Sequence, residues 1–135
     1  MKSPEEIVGL MMHKDAFSQW VGMETLSIGL GKCSLQCKVN PEMLNGFQIA
    51  HGGITYSLAD STLAFASNSR GVQCVSTETS ISHIYKVKDG DVLTSVSKEI
   101  SRGRTIGIYD VEIFNQDKKL VAHFKGTVLV TGTEW

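Results

Sequence analysis

No stretch of this chain approaches the ~20 consecutive apolar residues of a membrane-spanning helix. The opening MKSPEEIVGL has two early glutamates and lacks the apolar core of a secretion signal. Charge of one sign is also missing: 13 basic and 14 acidic side chains leave a net charge of -1. That balance excludes a general electrostatic footprint for DNA or RNA and a strong pull toward an anionic membrane. There is no internal repeat, low-complexity tract or flexible linker, and 135 residues leave no room for a second core. An even cysteine count is lacking too, so Cys33, Cys37 and Cys74 cannot all pair within the chain. The four-residue gap between Cys33 and Cys37 superficially suggests half a metal site. The alternation in GKCSLQCKVN instead sets both on one strand face beside Leu35 and Val39, as buried thiols of a reducing compartment. A cytoplasmic protein without a bound metal is the expectation.

What is present divides the chain into a single domain, residues 1–135, of four parts. Residues 1–22 form a helical segment, opened by Ser3 as cap, Pro4 in the first turn and Glu5 and Glu6 near the positive helix end. Residues 24–40 alternate in polarity as a strand or hairpin, ended by Asn40-Pro41. Residues 41–50 have no period and read as a loop. Residues 52–69 are helical, with Ile54, Leu58, Ala59 and Leu63 on the apolar side and Gly71 at the end. Residues 73–131 hold four strands, near 73–85, 91–101, 104–115 and 119–131, read as one antiparallel meander. In the last, Leu120, Ala122, Phe124, Gly126, Val128 and Val130 share one face. Val121, His123, Lys125, Thr127 and Leu129 share the other. One helix of about five turns can cover only one face of such a sheet. The fold class is therefore α+β, an antiparallel sheet curled around one central helix.

That helix carries a carboxylate in an apolar run, and an unpaired buried carboxylate is costly. Asp60 is seven residues from Gly53, two turns, so the two point the same way, with Tyr56, Ser57 and Ala64 near that stripe. The amides of Gly52 and Gly53 fall at the helix start, where N–H groups lack internal partners and glycine lets a ligand oxygen approach. This is what an oxyanion site for a carbonyl under attack requires. Seven residues of helix rise about 10.5 Å, too far for Asp60 to serve a carbonyl held by its own glycines. An antiparallel second copy of the helix would bring them together, so a dimer is required for the site.

NGFQIAHGGITYSLADSTLAFASNS resembles the signature of the hotdog-fold acyl-CoA thioesterases, specifically the phenylacetate-degradation branch. The resemblance runs from about Phe17 to Val130. It implies a curled hotdog sheet, a homotetramer built from two dimers, and hydrolysis of an acyl-CoA thioester to free acid and coenzyme A. It implies that the amide of Gly52 or Gly53 polarises the carbonyl, with Asp60 of the facing subunit as general base or nucleophile. It further implies that Asn45 places the water or carbonyl, that His51 orders the loop, and that a hydroxyl from Ser76 or Thr77 joins them. Ser101 to Thr105, SRGRT, resembles the turn this branch sets near the coenzyme, which makes Arg102, Gly103, Arg104 and Thr105 candidate coenzyme contacts. Coenzyme A belongs to the substrate, so no separate cofactor is expected.

The chemistry is coherent without a Ser-His-Asp triad, because thioesters are electrophilic and thiolate leaves readily; the chain also lacks a G-x-S-x-G elbow. An arylacetyl-CoA such as phenylacetyl- or hydroxyphenylacetyl-CoA is the expected substrate. A medium-chain or benzoyl-type ester, or a non-catalytic acyl-CoA-binding role, is the alternative, and a hydratase centred on His51 is a third. Phe47 and Tyr56 are candidates for the acyl pocket, and Met11, Met12 and Met23 for its entrance. His13, His83 and His123 have no partner pattern.

Overall fold

The computed structural model describes residues 1–135. Helices α1 (Pro4–Lys14) and α2 (Ala16–Val21) lead into strands β1 (Glu24–Gly29) and β2 (Lys32–Lys38), followed by α3 (Gly52–Asn68). Strands β3 (Val72–His83), β4 (Val92–Arg102), β5 (Ile106–Phe114) and β6 (Leu120–Glu134) complete the chain. The expected caps form: Ser3 Oγ accepts the Glu6 amide and the Glu6 carboxylate accepts the Ser3 amide. Gly22 ends α2 in the left-handed region at φ 85°, where glycine carries no steric cost.

The six strands form one antiparallel sheet in the order β1-β2-β4-β5-β6-β3. This is the α+β hotdog arrangement, with α3 packed against β2, β3, β4, β5 and β6. The four-strand meander is corrected to three strands, β4-β5-β6, because β3 pairs with β6 and not with β4. Both edges of β4 are occupied, by β2 and β5. The segment after β3 therefore crosses the end of the sheet instead of turning tightly. Ile84 and Tyr85 donate amides to the Val121 carbonyl, Val87 accepts from Ala50, and Gly90 donates to Val39. This crossing also buries Val121, although it shares a strand face with the exposed His123 and Lys125.

The helix-facing side of the sheet makes the core. Leu35, Leu93, Val111, Ile113 and Phe124 meet Leu58, Ala59, Leu63, Phe65 and Ala66, all essentially sealed from solvent. Each fully buried Leu or Phe contributes about 1.5–3 kcal/mol. Gly126 permits the close approach: a Cβ there would lie 2.4 Å from Leu63 Cδ2. The polar groups inside are paired, Thr62 Oγ1 with Ser95 Oγ at 2.7 Å and Ser95 Oγ with the Leu35 amide at 2.9 Å. Cys33 and Cys37 lie on the buried face with Leu35 and Val39, and all three cysteines are free and buried. No helix is long and apolar enough to cross a membrane.

Candidate active site

The start of α3 distinguishes its two glycines. His51 caps the helix, and its ring Nδ1 accepts the Gly53 amide at 2.8 Å. The Gly52 amide has no partner within the chain. The free donor at the positive end of a 17-residue helix is thus Gly52. Asn45 organises the preceding loop: its Oδ1 accepts the Phe47 amide at 2.9 Å and the Ile49 amide at 3.4 Å. Its side chain lines a cavity of about 370 Å³ that Gly52, Thr55 and His83 share. Asn45, His51 and Gly52 are therefore gathered at one end of the helix.

Two turns along, Asp60 is half-buried on the stripe that continues through Ser57, Ser61 and Ala64. No hydrogen bond reaches its carboxylate from its own chain. Burial, and next the charge of Asp15, push its carboxyl above the ordinary range. Asp60 stands between two cavities. One, of about 550 Å³, is walled by Leu10, Met11, Phe17, Phe65 and Trp135 with Asp15 beside them. The other, of about 290 Å³, is shared with Met11, Cys74, Val128 and Ser76.

The two hydroxyl candidates separate here. A β-bulge between Ser76 and Glu78 leaves Thr77 without a partner in the β3–β6 register. Thr77 Oγ1 donates to the Thr127 carbonyl at 3.3 Å, while Ser76 lines the cavity with Asp60. The SRGRT residues divide as well. Arg102 Nη1 donates to the Ser67 carbonyl at 2.8 Å and the Tyr109 hydroxyl at 2.9 Å. Glu99 accepts from Tyr109 and, twice, from Arg70. Arg104 is exposed and has no partner, and Gly103 and Thr105 hold the turn through backbone bonds to Ile106 and Val130.

Of the proposed acyl-pocket aromatics, Phe47 is 87% exposed at the loop tip. Tyr56 bonds Thr79 and packs edge-on against Phe124, and it lines neither cavity beside Asp60. Met11 does line both Asp60 cavities, whereas Met23 is buried in the core and Met12 packs against it. The sequence reading missed Asp15, Phe65 and Trp135 beside Asp60, and it dismissed His83. The His83 ring packs on Gly52, with Nε2 3.1 Å from where a Cβ would stand, and its Nδ1 is 3.3 Å from Thr55 Oγ1. The one legible signal was Asp15-Ala-Phe-Ser18, an N-cap pattern that ties Asp15 to the start of α2.

A helix start with one free amide and an uncompensated carboxylate on the same helix, on a hotdog sheet, define a thioester hydrolase as the class. The chain belongs to the thioesterase superfamily, whose family model matches residues 47–122. It is 37% identical over 116 residues to the acyl-coenzyme A thioesterase PaaI of Escherichia coli K12, covering 86% of this chain and 83% of that protein. The structure of the E. coli PaaI protein from the phenylacetic acid degradation operon superposes with TM-score 0.95 at 34% identity, covering 97% of this chain and 95% of that one. A hypothetical thioesterase from Streptococcus pneumoniae, solved with coenzyme A, superposes with TM-score 0.87 at 31% identity, covering 93% and 98%.

Proposed function

We propose that this chain hydrolyses acyl-CoA thioesters, with an arylacetyl group as the preferred acyl half, at a site completed by a second copy. The observation that carries the reading is the pairing on one helix of the unpartnered Gly52 amide with Asp60, about 12 Å apart by helical rise. Neither can serve the other's carbonyl within one chain. A twofold partner with α3 running antiparallel supplies each with its complement. Strand β3, at an open edge of the sheet and beside the Asp60 cavity, is the surface for that pairing.

In this reaction the thioester oxygen accepts the Gly52 N–H, and Asp60 of the facing chain takes a proton from water as the water oxygen attacks the carbonyl carbon. The oxyanion collapses, the C–S bond breaks, and the coenzyme thiolate leaves to be protonated. The Ser76 hydroxyl holds the attacking water. The acyl group occupies the 550 Å³ cavity, where Phe17, Phe65 and Trp135 offer flat apolar walls suited to an aromatic ring. Arg104 binds a coenzyme phosphate, since Arg102 is engaged with α3. Tetramer assembly uses the outer sheet face, where Val75, Leu129 and Ile106 form a row across three strands at 55%, 44% and 53% exposure. With three free thiols, the protein works in the reducing cytoplasm.

The test is thiol release from a panel of aryl, arylacetyl and linear acyl-CoAs, run beside Asp60→Asn. Turnover fastest on arylacetyl esters and abolished in Asp60→Asn is expected. Binding of the esters without thiol release would make the chain an acyl-CoA-binding protein and overturn the reading.

A further inference from the structure

Asp60 is not the only carboxylate on the wall of the 550 Å³ cavity; Asp15 lines it too. Asp15 joins α1 to α2, donating its amide to the Met12 carbonyl and capping α2. Its Oδ1 accepts the Ser18 amide at 2.9 Å and its Oδ2 accepts the Ser18 hydroxyl at 2.7 Å. Ser18 Oγ also lies 2.8 Å from Ser61 Oγ, the residue after Asp60 on α3. The single Ser18 proton is committed to Asp15, so Ser61 must donate to Ser18. The relay Ser61–Ser18–Asp15 pins α2 to α3 and fixes the Asp15 carboxylate where Asp60 faces it.

The two acids are placed unequally. Asp15 receives two hydrogen bonds, which suit a charged carboxylate, and Asp60 receives none from its own chain. We propose that Asp15 is a positioning residue for the hydrolysis, a second carboxylate whose fixed negative charge makes Asp60 the stronger proton acceptor toward water. This rests on Asp60 being the base. The direction agrees with the Asp60 carboxyl, which burial and the Asp15 charge hold above the ordinary range. Other ionisable groups face these cavities: Lys14 at the end of α1 and the Cys74 thiol of β3. Lys14 is exposed, with its charge screened by solvent, and the thiol is pushed up by burial and stays neutral. Under the dimeric reading, the start of the partner's α3 supplies the opposing positive end. The two acids then take separate roles, Asp15 as a carboxylate held by its hydrogen bonds and Asp60 as the group that takes the proton.

The experiment compares pH profiles of kcat/KM for wild type, Asp15→Asn and Asp60→Asn on one arylacetyl-CoA ester. Asparagine still accepts the Ser18 amide, so the α2 cap survives and Tm serves as the control for folding. Asp15→Asn is expected to move the acid limb to lower pH by roughly half a pH unit, as for a solvent-screened pair, and to lower the plateau about threefold as the base weakens. A merely structural role would lower the plateau and leave the limb in place, and that result, or a limb moved upward, overturns the proposal. Should Asp60→Asn retain the wild-type rate, the general-base reading itself fails. Should it lose activity while the Asp15→Asn limb stays fixed, only the role given to Asp15 fails.

Discussion

The Gly53 amide donates to the His51 ring at 2.8 Å, so of the two adjacent glycines only Gly52 presents a free N–H. Gly52 is the first residue of α3, a position where proline is well tolerated because its missing donor has no intrahelical role. The preceding His51 already has the extended conformation proline demands, φ -59° and ψ 139°. Gly52→Pro removes one donor, and its Cβ would meet the His83 ring, 3.1 Å from Nε2, which gives way by a few tenths of an ångström. Circular dichroism should show an intact fold, and kcat should fall roughly 10²–10³-fold, as for loss of one oxyanion donor.

The proposal of a shared site makes a second prediction. Mixed refolding of Gly52→Pro with Asp60→Asn chains should restore activity, because each mixed dimer holds one site with both lesions and one with neither. Random pairing places recovery near a quarter of wild type, about half the dimers having one working site of two. Thiol release measured against mixing ratio checks this, and no recovery would place both groups in one chain's site.

Asp60 should weaken the fold that it serves. Its carboxyl is raised by burial and by Asp15, so the folded chain binds this proton at higher pH than the unfolded chain. Its stabilising contribution is complete below the ordinary carboxylate pKa and is lost as pH rises through the raised value. Asp60→Asn should therefore raise Tm at neutral pH while abolishing turnover, and the gain in Tm should vanish in acid. Thermal melts across pH check the sign.

Ser76 and Thr77 should separate by readout. Ser76→Ala, beside Asp60, is expected to lower kcat about tenfold with little change in KM. Thr77→Ala, on the bulge, should stay within about 0.5 kcal/mol of wild-type stability and keep its rate. Steady-state kinetics beside chemical denaturation distinguish the two.

Arg102 and Arg104 should divide in the same way. Arg102→Ala breaks two bonds that tie β4 to α3 and β5, a loss of about 2 kcal/mol. Arg104→Ala should leave Tm alone and raise KM for the CoA ester more than for a short pantetheine thioester. Equal effects on both esters would remove Arg104 from phosphate binding.

Local chemistry made much of this legible. Ser3-Pro4-Glu5-Glu6 announced α1, the alternation through Cys33, Leu35, Cys37 and Val39 announced a one-sided strand, and the Gly53–Asp60 interval placed both on one stripe of α3. These are properties of neighbours in the chain, fixed by helical and strand periods, and they carried through to the structure. Strand order did not. Lys88-Asp89-Gly90-Asp91 has the composition of a hairpin turn, yet β4 already had two neighbours, and no local pattern records which edges a distant strand has filled.

The sequence by itself determined the main helices and strand segments, the buried face of β2, and the seven-residue spacing of Gly53 and Asp60 along one helix. Tertiary structure alone decided which amide is free, which hydroxyl faces Asp60, and that Arg102 is engaged with α3. It alone brought Asp15 to the same cavity. Each of those outcomes depends on contacts between residues far apart in the chain: a bulge in β3, a relay from Ser61 to Asp15, a helix end that captures a guanidinium. Periodicity fixes the direction in which a side chain leaves its element, and only packing fixes what it meets.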